Sequence, residues 1–443
     1  MNNAGGQRQH GPSPEKEWYT DRDVLLTPSQ DFPDWTKVSV PRTQRSDRLR
    51  KRAEMVIPGG CSTESKQPAA LFGLENGPAY FRSASGVEIV DVDGCRIVDF
   101  AMALGPCVLG YNHPVVVEAV QRALGDGIVS ILSSPLEVEV AELIVSLLPG
   151  IDQVRFMKSG AEAATAAIRL ARAFTGREHV LGCGYFGWHD WSQAGEGVPA
   201  ATRTLFQEFA FNDVEAFSMR FKSLPGLPAA VIMEPVMHDA PEPEFLETVR
   251  TTCARHGVVL IWDEIKTGAR LAPGGAQERY GLVPDLTVLG KAIAGGMPLG
   301  AVGGKKDIMQ TWPKVWISST FAGESLSLAA SLAVLEFIRD NPVCRHIEIL
   351  GARLLAGFRE MCEEYPGCFS CSGIPQMNAL ALKDGLADRS LMESKFFLEL
   401  YSLGYLLKRN AYNFVSYSHA EHHIDGCLDA CRRAARNIGL VSP

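Results

Sequence analysis

Helical stretches alternating with short apolar runs predict an α/β protein with a mixed, mostly parallel sheet and a smaller α+β region. Three observations carry that prediction. From about residue 114 to 335, amphipathic segments separate apolar runs at regular intervals. The runs are apolar throughout instead of alternating, as strands covered on both faces must be. Capping signals open the helices where that alternation needs them.

Taken in order, residues 1–40 are polar and rich in Pro, Gly and Asp, with scattered aromatics (Trp18, Tyr19, Phe32, Trp35). They read as an irregular arm. Val87–Val90 and Arg96–Phe100 flank Asp91-Val-Asp-Gly94, a hairpin with an Asp-Gly turn. Ser134-Pro-Leu-Glu137 and Ser159-Gly-Ala-Glu162 are capping-box patterns, the first with proline at the first helical position. Strands are expected at Ala229–Met233, Val258–Trp262, Leu286–Leu289 and Leu299–Val302. After about 335, two long helical stretches and the strand-like Asn378–Leu382 form the α+β part. The boundaries read as an arm at 1–40, a small domain from 41–105 and 336–443, and a large domain at 106–335.

Composition narrows the partners. The 443 residues are 46% hydrophobic and 21% charged with a formal net charge of −8, which suits a globular chain and argues against nucleic acid or an anionic membrane. Arg42–Arg52 is the only basic cluster, and it is short. No apolar run approaches a membrane span, and the first residues lack a signal-peptide core, so a cytoplasmic location is expected. The eleven cysteines are odd in number and do not form a disulfide framework. Cys368 and Cys371 read as buried thiols on a strand, and Cys427 and Cys431 as small core residues of a helix. His422-His423 lacks partners at ligand spacing, so it reads as a solvated helix start and no metal is expected.

Ligand groups in open α/β sheets collect beyond the carboxyl ends of the strands. Glu234, Asp263 and Lys291 each follow such a strand. A lysine among charges in an apolar layer suits Schiff-base chemistry, and a deep aspartate suits a cationic ring nitrogen. The Ser159-Gly160-Ala161 turn offers free N–H groups to a phosphate. Tyr185, after a glycine-rich turn, can stack on a ring. Singly these are ordinary features: most capping boxes only cap, and a lysine before Ala-Ile-Ala-Gly-Gly can be a surface lysine. Their joint order behind strands gives them weight.

On these motifs the sequence resembles the class III pyridoxal-phosphate aminotransferases, in the glutamate-1-semialdehyde 2,1-aminomutase-like branch. The matching stretches are Asp91-Val-Asp-Gly94, Leu109-Gly-Tyr-Asn-His-Pro114, Arg155-Phe-Met-Lys-Ser-Gly-Ala-Glu-Ala163, Arg169-Leu-Ala-Arg-Ala-Phe-Thr-Gly-Arg177, Trp262-Asp-Glu-Ile-Lys-Thr-Gly268 and Leu289-Gly-Lys-Ala-Ile-Ala-Gly-Gly296. The resemblance spans roughly 55–440 and implies the type I fold of pyridoxal-phosphate transferases, with the cofactor in the large domain. It implies that Lys291 is the Schiff-base lysine and moves the proton between substrate Cα and cofactor C4′. Asp263 would pair with the pyridine nitrogen and Tyr185 stack on the ring. Phe186, where the family usually has histidine, and Glu234 would line the cofactor. Ser159, Gly160 and Ala161 would hold the phosphate, with Thr320 reaching it from the neighbouring subunit of a homodimer. His189 is expected behind this layer.

The same resemblance exposes departures at substrate positions. Lys66 stands where the aminomutase pattern has an arginine, with Glu64 close by, and lysine lacks the bidentate fork for a carboxylate. The aminomutase's late glutamate has no clear match in Arg409-Asn-Ala-Tyr-Asn413, and Glu234-Pro235 is followed by the polar Val-Met-His-Asp239-Ala. An intermolecular aminotransferase is therefore expected, taking the amino group from a donor such as glutamate. The acceptor would be a carbonyl compound that is neutral or cationic, such as an oxo-sugar or aminoglycoside intermediate in antibiotic biosynthesis. The alternatives are the aminomutase itself and a non-catalytic protein of the same fold.

Overall fold

The computed structural model describes residues 43–441; the expected arm at 1–40 lies outside them. The described residues open with a helix at Gln44–Glu54, which takes up most of the basic cluster. Strands β1 (Phe81–Ser85), β2 (Glu88–Asp91) and β3 (Arg96–Asp99) then form an antiparallel meander. The β2–β3 turn is held by Asp91, whose Oδ1 accepts from the backbone of Asp93 at 2.9 Å and Cys95 at 2.8 Å. Gly94 supplies the positive φ of 93° that the turn needs.

The central sheet contains β4 (Gln153–Met157), β5 (Val180–Cys183), β6 (Phe206–Glu208), β7 (Ala230–Met233), β8 (Val259–Asp263), β9 (Leu286–Leu289) and β10 (Gly300–Gly304). Their order is β4-β10-β9-β8-β7-β5-β6. Only β10 runs against its neighbours. All residues of β7, β8 and β9 are buried. Alternation splits them between two layers: Val231, Met233, Leu260 and Trp262 join one core, and Ala230, Ile232, Val259 and Ile261 the other. Each fully buried aliphatic side chain stabilises the fold by about 1.5–3 kcal/mol relative to exposure. This two-sided burial is why the runs carry no alternation.

The helix Gly160–Thr175 lies on one face of this sheet. Ala163, Ala164, Ala166, Ala167 and Ala171 are buried in it; small side chains let helix and sheet approach closely. Ser159 and Glu162 form the full capping box, and Gly176 ends the helix in the left-handed region. The pattern at Ser134 is only half realised. Ser134 Oγ accepts from Leu136, but no reciprocal bond from Glu137 forms.

The later chain holds helices Ser325–Asp340, Val343–Glu364, Arg389–Ser402 and Glu421–Asn437. A third sheet joins β11 (Phe369–Ile374), β12 (Met377–Leu382) and, after β13 (Tyr405–Leu406), β14 (Asn413–Phe414). Strand β13 pairs in parallel with β3, so the two ends of the described chain share the first sheet. Cys371 lies on β11, but it and Cys368 are half-buried, a correction to the expectation of buried thiols. Cys427 and Cys431 are fully buried, as expected. Among the described residues no helix is long and apolar enough to cross a membrane.

Candidate active site

Three strand ends converge on one point. Strand β8 ends in Asp263, β7 runs into Glu234, and β9 is followed by Gly290 and Lys291. Because β10 is reversed, its first residue, Gly300, adjoins these ends. A Cβ on Gly300 would stand 2.3 Å from the Ser159 carbonyl oxygen, and one on Gly160 would stand 2.3 Å from Ile265. Ile265 also lies in ordinary contact range of Gly290. The helix start at Gly160 is thereby pressed against the turns that carry Asp263 and Lys291.

Extended chain turns neighbouring side chains to opposite sides, and here that separates two carboxylates. Glu264 points into the fold and accepts from Ala276, from the backbone and side chain of Gln277, and from Thr267. It is an anchor for the loop that follows. Asp263 uses Oδ1 to accept from Ile265 N at 3.0 Å, while Oδ2, buried, has no hydrogen-bond partner. Burial, and next the Glu234 charge, push the Asp263 carboxyl above the ordinary range. A protonated ring nitrogen would supply the missing donor and the missing charge.

Lys291 begins a short 3-10 turn with φ 47°. A left-handed lysine costs about 1–2 kcal/mol that glycine would avoid, so the side chain is what justifies the residue. Burial foremost, then the Lys266 ammonium, lower its amine below the usual range, against the pull of Asp263 and Glu234.

Glu234 Oε1 accepts from Tyr185 N at 2.8 Å. A Cβ on Gly184, φ 137°, would stand 2.6 Å from Glu234 Cγ, and one on Gly187 would stand 2.4 Å from Ala161 Cβ. The Tyr185 turn is thus held between the end of β7 and the start of the Gly160 helix. The Tyr185 ring is 70% exposed, free to meet a ligand. Phe186 is a correction: it is buried against Trp191 and Phe206, with ring centroids 5.7 and 6.2 Å away. An apolar ring here gains more from the core than from a polar cleft, so it does not line the cofactor. His189 contacts Thr165 Oγ1 at 2.7 Å, and Thr165 in turn donates to the Ala161 carbonyl. It therefore stands behind the helix start.

In that helix start, Ser159 Oγ caps Glu162 N at 3.2 Å, and Glu162 Oε2 accepts from Ser159 N and Lys158 N. The N–H groups of Gly160 and Ala161 have no intrahelical acceptor and can receive a phosphate. Ser159 contributes as the cap. Thr320 is exposed and lines a cavity of about 1030 Å³ with the 127–137 segment, a lining that does not include Lys291. Glu64 and Lys66 are exposed on a short turn, and Asp239 is exposed after β7. Among the described residues no cluster suits a metal ion.

Sequence reasoning passed over several residues. Lys266 ion-pairs with Glu234 Oε2 and lies 4.6 Å from the Tyr412 ring centroid; a lysine directly after a fully buried strand was its one signal. Lys158 pairs with Glu324 at 2.8 Å, and Glu324 caps the helix at Ser325. A separation of 166 residues left no signal for that pair.

A strand-end lysine, a buried aspartate lacking a donor and a phosphate-ready helix start, on a mostly parallel sheet, define a pyridoxal-phosphate-dependent transferase of fold type I. The aminotransferase class-III family model matches residues 74–189 and 200–434. A glutamate-1-semialdehyde 2,1-aminomutase of Methylacidiphilum infernorum (isolate V4) is 36% identical over 413 residues, covering 86% of this chain and 94% of that protein. In structure the chain is similar to the FumI protein of Sphingopyxis sp. MTA144 in its PLP internal aldimine form, with TM-score 0.83 and 28% identity over 90% of this chain and 97% of that one. It is likewise similar to an omega-transaminase from Sphaerobacter thermophilus, with TM-score 0.82 and 26% identity over 90% and 100% of the two chains. The chain belongs to the class III aminotransferases, enzymes that use pyridoxal phosphate.

Proposed function

We propose that the protein is an intermolecular aminotransferase, moving an amino group from an amino-acid donor, with glutamate the first to test, to a neutral or cationic carbonyl acceptor. The observation that carries the reading is the buried Asp263 Oδ2 without a donor, set among the same strand ends as Lys291. Pyridoxal phosphate supplies a reactive aldehyde and a ring that accepts electrons. Lys291 would hold that group at its aldehyde carbon, the oxygen leaving as water, and, once released by the incoming amine, would move the proton between substrate Cα and C4′. Asp263 would keep the ring nitrogen protonated, Tyr185 would cover the ring, and the Gly160 and Ala161 amides would receive the phosphate. Glu234 holds the Tyr185 turn in place.

A second copy of the chain completes the site with Thr320. Ile128, Val129, Ile131, Leu132, Trp316 and Phe321 are exposed around the Thr320 cavity, an apolar face of the kind that marks an interface.

For the acceptor, the departures at Lys66 and Glu64 support a substrate without the acidic groups of the aminomutase substrate. Arg270 is buried on carbonyl oxygens of Lys266, Val415 and Gly105, and Lys266 is paired with Glu234. Among the described residues, the exposed Lys66 is the cation that the aminomutase pattern would set on the substrate side. An oxo-sugar or aminoglycoside intermediate of antibiotic biosynthesis is the acceptor class we favour. The aminomutase reading is kept alive by the 36% identity to that enzyme.

The deciding experiment follows the visible absorbance of the holoenzyme as amino donors and amines are added singly. Bleaching of the yellow form by one donor, reversed by one acceptor, identifies the reaction. Turnover of glutamate semialdehyde with no added acceptor would replace it by the aminomutase. Lys291→Ala should lose both colour and turnover, and transamination by that variant would refute the assignment.

A further inference from the structure

The sequence places two carboxylates and one lysine at the centre of the site; the folded chain adds a second lysine. Lys266 leaves the same turn as Asp263, and its ammonium pairs with Glu234 Oε2. The Tyr412 ring, 4.6 Å away, covers it. Its side chain is 17% exposed and that of Glu234 3%, so the pair is poorly screened. Glu234 is committed on its other oxygen to the Tyr185 amide. The charged groups whose fields act on the Lys291 nitrogen are Asp263 on β8, Glu234 after β7, and Lys266 and Arg270 after β8. Two carboxylates alone would hold Lys291 as an ammonium, which has no lone pair to attack an aldehyde.

We propose that Lys266 is a positioning residue that neutralises Glu234 and thereby leaves the Lys291 nitrogen less basic than Asp263 and an unpaired Glu234 would make it. The inference rests on Lys291 being the Schiff-base lysine. Its supports are the ion pair, the covering ring and the burial; the lowered Lys291 amine agrees in direction. Lys266 touches neither reacting atoms nor substrate in this account. It acts through charge on Lys291 and through Glu234 on the Tyr185 turn.

The test is a pH titration of the visible absorbance of the holoenzyme, which reports the proton on the Lys291 nitrogen without turnover. Lys266→Met should raise the midpoint of the colour change by about one pH unit, a tenfold higher proton affinity, because a nearby like charge is removed. Lys266→Arg should stay close to the native midpoint. Glu234→Gln keeps an acceptor for Tyr185 N but removes the negative charge, so its midpoint should fall. It serves as an independent reading if Lys266→Met does not fold. A midpoint that is unchanged or lowered in folded Lys266→Met, or unchanged in Glu234→Gln, overturns the inference. Borohydride reduction of the native holoenzyme that fixes no cofactor to Lys291 instead overturns the parent assignment of Lys291.

Discussion

Replacing Asp263 with asparagine should stabilise the cofactor-free protein while weakening its hold on pyridoxal phosphate. The native carboxylate is buried, its Oδ2 has no donor, and Glu234 adds a like charge. A carboxyl raised in this way contributes stability that is fully present below its ordinary titration near pH 4. That contribution is lost as pH rises through the raised value. Each pH unit of elevation costs about 1.4 kcal/mol once the group must ionise. Burial and the Glu234 charge raise the Asp263 carboxyl to about 7, which amounts to roughly 4 kcal/mol at pH 8. Asparagine keeps the Oδ1 bond to Ile265 N but leaves a buried amide donor unpaired, at about 1 kcal/mol. The net gain is about 3 kcal/mol at pH 8 and turns into a loss of about 1 kcal/mol towards pH 4, where only the unpaired amide remains. The assay is denaturant unfolding across pH 4–8, with and without pyridoxal phosphate. Native protein should be stabilised by the cofactor through mass action, and Asp263→Asn much less. A cofactor-free variant that is less stable than native at pH 8, or equal stabilisation of both by the cofactor, would refute the reasoning.

Other outcomes follow from the same geometry. Lys158→Met removes a part-buried partner of Glu324, whose carboxyl is pushed up by burial but held below the ordinary range by Lys158 and the Ser327 bonds. A double-mutant cycle with Glu324→Gln should show about 1 kcal/mol of coupling near pH 7, lost as pH falls through the lowered carboxyl; additivity at pH 7 would exclude the pair as a contributor. Gly184→Ala combines φ 137° with a Cβ 2.6 Å from Glu234 Cγ, so cofactor affinity should drop at least tenfold, and unchanged affinity would argue against a tight Tyr185 turn. Ile131 is wholly exposed beside the Thr320 cavity. Ile131→Asp should shift sedimentation from dimer to monomer and lower activity together, and full activity in a monomer would contradict the shared site.

Much of this architecture is written locally. Strands β7, β8 and β9 lie within a residue of their expected spans because two-sided burial demands unbroken apolar runs. The capping box at Ser159 forms because its partners are three residues apart. The hairpin β11–β12 was only partly legible: β12 is apolar and Cys371 was placed on a strand, but β11 reads Phe-Ser-Cys-Ser-Gly-Ile, whose small polar residues leave its burial and bounds undefined. Ser134 resembled Ser159 in sequence, yet its Glu137 makes no return bond. A pattern permits a cap, and the surroundings decide whether the side chain is used.

By itself the sequence determined the α/β class, the strand ends bearing Glu234, Asp263 and Lys291, and the resemblance to class III aminotransferases. Those follow from periodicity and motif, which are short-range properties of the chain. Only the tertiary structure decided that Phe186 turns into the core, that Glu264 anchors a loop while Asp263 keeps a free oxygen, and that Lys266 pairs with Glu234. Burial and charge pairing depend on what distant segments bring to the same place, and no local pattern encodes that neighbour.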